Sequence, residues 1–387
     1  LKIFAYNDFI LKKNKDKIYA DDSHILFIKA TCETYFDEFQ LGSRCIETDE
    51  PGHYFFTDNK EEVLVFPFYS SVSQFFKKPS LLSRSKALLK SAVGHYDVFW
   101  LTWPHPISFL VLMLVGRKKP VVLFVRQNLE ALIHVRYSGI NRFVGKKFTQ
   151  FLYTYARLFH KNALIVSVGD EMYNYFKPVY KNNFYVSDSI VSEKLQLPAR
   201  KEFNKDVKLL FVGRLEPEKG LFDLVNAVKL VNESIPVSLT IVGEGGVGEE
   251  LRAFVEELNV SHCVKFAGYQ AFGESLFELY RSHDIMVISS YSEGLPKIIN
   301  EARAFAMPIV STKVGGIAKE LQEGETCLFV PPGKPELLAA AVVFLFHNPK
   351  VYQRISQNLH DQFSSNSLEY WSGRFAALVK DYASKNF

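Results

Sequence analysis

Residues 290–304 read SYSEGLPKIINEARA and hold two acids eight positions apart, Glu293 and Glu301. Between them, Gly294-Leu295-Pro296 makes a turn that leads into a helix. Pro296 suits the first helical turn, where its missing N–H would have had no partner. The amides around Gly294 and Leu295 then point outward at the positive end of the helix dipole, a setting for anionic or hydroxyl-rich ligands. A carboxylate that accepts from two adjacent hydroxyls is a common way to grip a ribose. About eighty residues earlier, FVGRLEPEKG at 211–220 places Arg214 and Lys219 close behind Gly213. Gly213 lets backbone approach a ligand. The planar fork of Arg214 suits phosphate and Lys219 adds a point charge, so a diphosphate could dock there. Each stretch alone also fits a plainer role: a surface loop with two bases, a capping glutamate at 293 and a solvated one at 301.

These side chains need a frame that brings the two stretches together. The second half of the chain alternates short apolar runs with amphipathic ones. Strands are expected at 207–213, 237–243, 264–268, 284–290, 308–312 and 327–331, and helices at 220–233, 249–258, 273–282, 296–306, 315–323 and 334–346. Continuous apolar strands between amphipathic helices imply a parallel sheet covered on both faces. The first half is less regular. KIFAY, EEVLVFPF, DVFWLTW, PVVLFVRQ and NALIVSVG read as strands, with helical stretches at 80–92, 106–117 and 141–159. Residues 184–206 mix proline, charge and polar residues and read as a linker. Two such sheets face one another across a cleft, and ligands bind beyond the carboxyl ends of the strands. The expected domains are 1–190, 191–365 and a helix over 366–387 that returns to the first domain.

A chain of 387 residues is too long for one compact core. The four cysteines form no CxxC, which fits a reducing, cytoplasmic compartment better than a disulfide framework or a zinc site. No apolar run reaches the roughly 18–20 residues of a membrane span, and LKIFAYNDFILKK reads as a strand rather than a leader. The net charge of +4 conceals an asymmetry: residues 1–187 hold 25 Lys and Arg against 17 Asp and Glu, whereas the rest hold 21 against 25. Within 63–162 the count is 15 to 2, with aromatics among the bases. That pattern fits a solvated helical face, or a surface for an anionic acceptor or anionic lipid at the inner face of a membrane. No nucleic-acid-binding motif accompanies it.

EGLPKIINE followed by ARAFAMPIVSTKVGG, with VGRLEPEKG before it and IVGEGG and VKFAGYQ between in order, resembles the retaining glycosyltransferases of family 4, which have the GT-B fold. The resemblance is specific over roughly 205–335 and extends to the first half only in layout. It implies a nucleotide-sugar donor, a UDP- or GDP-sugar, and a hexosyltransferase of polysaccharide biosynthesis acting on a glycan, lipid-linked saccharide or other acceptor. It carries Arg214 and Lys219 onto the pair that neutralises the diphosphate, Glu301 onto the acid that binds ribose, and Glu293 onto the acid beside the donor sugar, with Gly294, Leu295 and Pro296 nearby. Tyr269 falls where the family's backbone meets the base. Departure of a nucleoside diphosphate builds negative charge that fixed cations stabilise without reorganisation, so no metal is required, and neither a DxD nor a histidine cluster is present.

The chain departs from the family pattern on the other side. A glycine-rich loop is expected after the first strand, where IFAYNDFILKK stands instead. A histidine is expected after VVLFV, where Arg126-Gln127-Asn128 stands. Arg126 could meet an anionic acceptor or the donor phosphate, or pair with another loop, and His105 and His134 are further acceptor-side candidates. Three rivals to a transferase remain: a non-catalytic nucleotide-sugar-binding relative or partner subunit, a nucleotide-sugar epimerase, and a dinucleotide oxidoreductase. No GxGxxG with its following acid supports the last.

Overall fold

The computed structural model of the protein describes residues 1–70, 74, 78–126, 128–130, 133, 138–203, 206–294 and 296–386, apart from the side chains of residues 141, 170 and 171. Gln127, His134 and Leu295 lie outside the described residues. The chain divides into two compact units, Leu1–Ile190 with Leu368–Phe387, and Val191–Ser367.

The first unit holds β1 (Lys2–Asn14), β2 (Lys17–Ala20), β3 (Glu38–Glu47), β4 (Tyr54–Thr57), β5 (Val63–Phe66), β6 (Val98–Thr102), β7 (Val121–Val125), β8 (Leu164–Val168) and β9 (Asn183–Val186). Seven of them form a parallel sheet in the order β5-β3-β1-β6-β7-β8-β9, while β2 and β4 add antiparallel pairs beyond the upper half of β1. Alternation along the central strands assigns their faces. Phe99, Leu101 and Leu123 pack with residues of the helices Pro79–His95, Pro106–Val115 and Gly139–Phe159. Trp100 and Phe124 point the other way, onto Phe27 and Phe375. Phe375 lies on the helix Leu368–Asn386, so the chain returns from the second unit to complete the first.

The second unit is a six-stranded, fully parallel sheet of β10 (Val207–Val212), β11 (Val237–Val242), β12 (Val264–Gly268), β13 (Ile285–Ile288), β14 (Ile309–Thr312) and β15 (Cys327–Val330). Its order is β12-β11-β10-β13-β14-β15, the doubly wound arrangement whose strand order reverses between β10 and β13. All four residues of β13 are buried, as a strand covered on both faces must be.

The expected elements of the second half are all present, within a few residues of the expected ends. One end matters: the helix expected over 296–306 spans Ile298–Ala304, so Pro296 lies in the turn ahead of it, where its carbonyl accepts from the Ile299 amide at 3.2 Å. Glu301 consequently sits in the first turn of the helix rather than beyond it. The stretch expected as a linker over 184–206 begins as the end of β9, because FYV extends the first sheet by pairing with β8. The helix Pro349–Phe363 was not expected; it buries Tyr352, Ile355, Leu359 and Phe363 on a stripe interrupted by polar residues.

Candidate functional site

Loops after β10 and β13 leave neighbouring strands at the point where strand order reverses, which opens a crevice at the strands' carboxyl ends. Backbone contacts fix the two loops to each other. Ser289 Oγ donates to the Lys219 carbonyl at 2.7 Å, and the Tyr291 amide donates to the Glu218 carbonyl at 2.8 Å. Gly220 makes this approach feasible: its φ is +62°, and a Cβ there would lie 2.1 Å from the Ser289 carbonyl oxygen. The loop after β14 closes in similarly. Gly315 has φ +48°, and its Cβ would fall 1.9 Å from the Glu293 carbonyl oxygen, to which the Gly316 amide donates at 3.3 Å. Thr312 Oγ1 donates to the Ser290 carbonyl at 2.6 Å.

On this base the structure brings Lys219 and Glu293 into contact. Lys219 Nζ donates to Glu293 Oε1 at 2.5 Å, and Ser290 Oγ donates to the same oxygen at 2.8 Å. Both charged side chains are mostly withdrawn from solvent, at 16% and 12% exposure. Arg214 is elsewhere: its side chain is 72% exposed and its guanidinium donates to Glu218 Oε1 at 3.3 Å. Gly213 follows β10, its amide donating to the Val242 carbonyl at 3.0 Å. Gly294 has no atom within 4 Å of where a Cβ would stand. Tyr269 follows β12 and is half-exposed.

Glu301 is not solvated. It is buried beneath the helix start, and the Tyr280 hydroxyl donates to its Oε2. Burial raises its pKa above the ordinary carboxylate value, and the Tyr280 hydrogen bond only partly offsets that. Burial, with the Glu301 charge beside it, holds the Tyr280 phenol well above its usual pKa and hence protonated as the donor. Tyr280 escapes a reading by spacing, since it lies in an ordinary amphipathic helix 21 residues from its partner.

The first unit has its own reversal of strand order, between β1 and β6. A register shift between Tyr6 and Ile10 brings Asp8 to that place, and His105 follows β6. Asp8 Oδ1 accepts from Tyr69 at 2.6 Å and pairs with Arg44 Nε at 3.0 Å, while Oδ2 faces His105 Nε2 at 3.3 Å. Burial works against the Asp8 charge, but His105 and Arg44 outweigh it and hold the carboxyl below its usual pKa. His105 Nδ1 accepts from the Ile107 amide at 3.2 Å, so in the neutral ring the proton sits on Nε2, toward Asp8. His105 thus caps a helix and orients Asp8, a residue the sequence flagged only as an oddity where a glycine-rich loop was expected. Arg126 pairs with Asp188 at 3.2 Å and Asp22 at 3.5 Å, the loop-to-loop alternative weighed for it. Asn128 lies two residues beyond.

Comparison with known proteins sharpens this picture. Residues 193–362 match the family model described as glycosyl transferases group 1. A glycogen synthase of Mycobacterium tuberculosis is 29% identical over 52% of this chain and 48% of its own length. A D-inositol 3-phosphate glycosyltransferase of Corynebacterium efficiens is 32% identical over 38% of this chain and 36% of its own. The match therefore spans less than half the length of these relatives. The crystal structure of Anabaena HepE in complex with UDP superposes with a TM-score of 0.70, covering 98% of this chain and 100% of that one at 17% identity. At that identity the likeness speaks for fold alone, and the fold class is GT-B, as the sequence led us to expect: two α/β units, each built on a parallel sheet. Over residues 193–362 the chain is similar to the glycosyl transferases group 1.

Proposed function

We propose that the chain is a retaining, metal-independent glycosyltransferase of family 4 that moves a hexose from a nucleoside-diphosphate sugar to a glycan or lipid-linked acceptor. The contact between Lys219 and Glu293 at the reversal point of the second sheet carries this reading. An ammonium and a carboxylate held side by side can meet the two halves of such a donor, the leaving diphosphate and the sugar ring. Lys219 has three donor protons, so it can keep Glu293 in place while donating to a phosphate oxygen. Arg214 is the second cation. Its exposed pair with Glu218 is worth about 0–1 kcal/mol, weak enough to be exchanged for a diphosphate.

Glu301 fits the ribose. Two adjacent ribose hydroxyls would add donors to a carboxylate whose orientation Tyr280 already fixes. Gly294, Leu295 and Pro296 would line the sugar and phosphate, and Tyr269 the base. As the C–O bond to the diphosphate breaks, charge on the leaving group grows and the fixed cations stabilise it. Glu293 beside the sugar favours the positive charge that develops there. HepE, whose fold is similar, has been solved with UDP and with UDP-glucose, so a uridine donor is the first to test, and the first unit is assigned the acceptor.

Thermal unfolding with UDP, GDP and their sugars tests the donor. A nucleotide present at 100 times its Kd should stabilise the fold by about 2.7 kcal/mol. Stabilisation by UDP-sugars that Lys219→Ala removes is the expected result. No response to any nucleotide at millimolar concentration would defeat the proposal.

A further inference from the structure

We propose that the outward face of the helix Gly139–Phe159 docks the first unit on an anionic lipid surface. Ile140, Phe143, Val144, Phe151 and Leu158 fall within an arc of about 100° on an ideal helix. Their exposures are 77%, 62%, 58%, 51% and 56%. The opposite face is already used. Thr149, Leu152 and Ala156 are buried, and at the edge of the stripe Phe109 from the neighbouring helix packs on Tyr155 and Phe151, with centroids 4.8 and 5.5 Å apart. The other four apolar residues of the stripe are each more than half exposed, an unusual grouping for a soluble surface.

The charge around the stripe selects the occupant. Lys147 lies within it, and Lys146, Arg157 and Lys161 are exposed beside it. From Val98 to Gly169 the chain has ten Lys and Arg and a single acid, Glu130. Exposed Met113 and the following Arg117 and Lys118 extend the same surface. Arg117 Nε ties it to the helix by donating to the Phe159 carbonyl at 3.0 Å. An apolar stripe with a basic margin is the pattern of a helix that lies in the interface of an anionic bilayer. A second copy of the chain would set lysine against lysine across the same face, which like-charge repulsion disfavours. Among the described residues no helix is long and apolar enough to cross a membrane, so the docking is peripheral.

The inference deepens the acceptor side of the proposed function, where a lipid-linked acceptor would be met at a membrane, but it rests on this helix and not on the donor loops. Co-sedimentation of the full chain with vesicles tests it, using phosphatidylcholine alone and phosphatidylcholine mixed with phosphatidylglycerol. The chain should sediment with the anionic vesicles at low salt, and about tenfold less with neutral ones or at high salt. Ile140→Ser with Phe143→Ser should abolish binding to both. Lys146→Glu with Lys147→Glu should remove the preference for anionic lipid. Both positions are exposed in each pair, so the thermal midpoint and any UDP-induced shift should match the parent chain, which separates this result from failure of the donor site. Absence of sedimentation at low salt, or variants that sediment like the parent, would overturn the proposal. So would a dimer that Phe143→Ser dissolves in the absence of vesicle binding, since the stripe would then be a contact between copies.

Discussion

Removing the ammonium at position 219 would leave Glu293 as a largely buried carboxylate held by the Ser290 hydroxyl and without its cation. Deleting one fixed group from a site of developing charge typically lowers turnover by about 10²–10³. Lys219→Ala is expected to show that loss in steady-state transfer, and Lys219→Arg to recover part of it; a kcat/KM within twofold of the parent would exclude Lys219 from the phosphate. Glu301 makes a different prediction, in pH. Burial raises its pKa in the folded chain, so the folded state holds the Glu301 proton more tightly than the unfolded one. Its contribution is intact below the unfolded value of about 4.3 and is lost as pH rises through the raised folded value. Glu301→Gln cannot ionise. Its urea midpoint relative to the parent should therefore climb between pH 4.5 and pH 8, while its affinity for a ribonucleotide falls. Parallel pH profiles for the two chains would refute the assignment of a strained buried carboxyl.

At the scale of the element, the site depends on loops that approach closely enough to exclude a side chain. A Cβ at Gly220 meets the Ser289 carbonyl, and positive φ adds its own strain. Gly220→Ala should cost roughly 1–3 kcal/mol or more and abolish nucleotide-induced stabilisation. Gly294→Ala meets nothing within 4 Å and should stay within about 0.5 kcal/mol of the parent in urea unfolding. Equal costs at the two positions would mean that loop packing does not set the site. Elements of this kind were legible where physics writes them into consecutive residues. VKLLFV, VSLTIV and IMVI are short, mostly apolar strands followed by glycine or serine, and they announce a parallel sheet. EFQLGSRCIE gives no such signal, because β3 buries only its middle; β2 and β4 are four-residue additions to the sheet. For the same reason Arg214, Lys219, Glu293 and Glu301 could be picked from motifs, whereas Tyr280, Ser290 and the Asp8 cluster could not. The partners of Tyr280 and Asp8 are set by which distant elements the fold brings together, and the Ser290 hydroxyl has no motif of its own.

At the scale of the whole molecule, the helix Leu368–Asn386 belongs to a unit from which the whole of Val191–Ser367 separates it in sequence. Leu368–Asn386 lays Phe375 against Trp100, with ring centroids 4.4 Å apart, and against Phe27 and Phe124. The first sheet has two faces to cover. Among the described residues, Pro79–His95, Pro106–Val115, Gly139–Phe159 and the short helix Asp170–Phe176 serve one, and the other depends on His24–Tyr35 together with this late arrival. A sheet face left open would expose Trp100 and Phe124 to water, so the first unit cannot reach full stability before the second has been synthesised. The stability of the two units should then separate under mutation. Phe375→Ala opens a cavity in a fully buried aromatic cluster, and such changes cost about 3–5 kcal/mol. Hydrogen exchange should show protection falling across β6 and β7 of the first unit, while β10, β13 and their loops stay protected and still respond to UDP. A uniform loss across both units would mean that they unfold as one, and the closing helix would then be a strut for the whole chain rather than the missing wall of its first half.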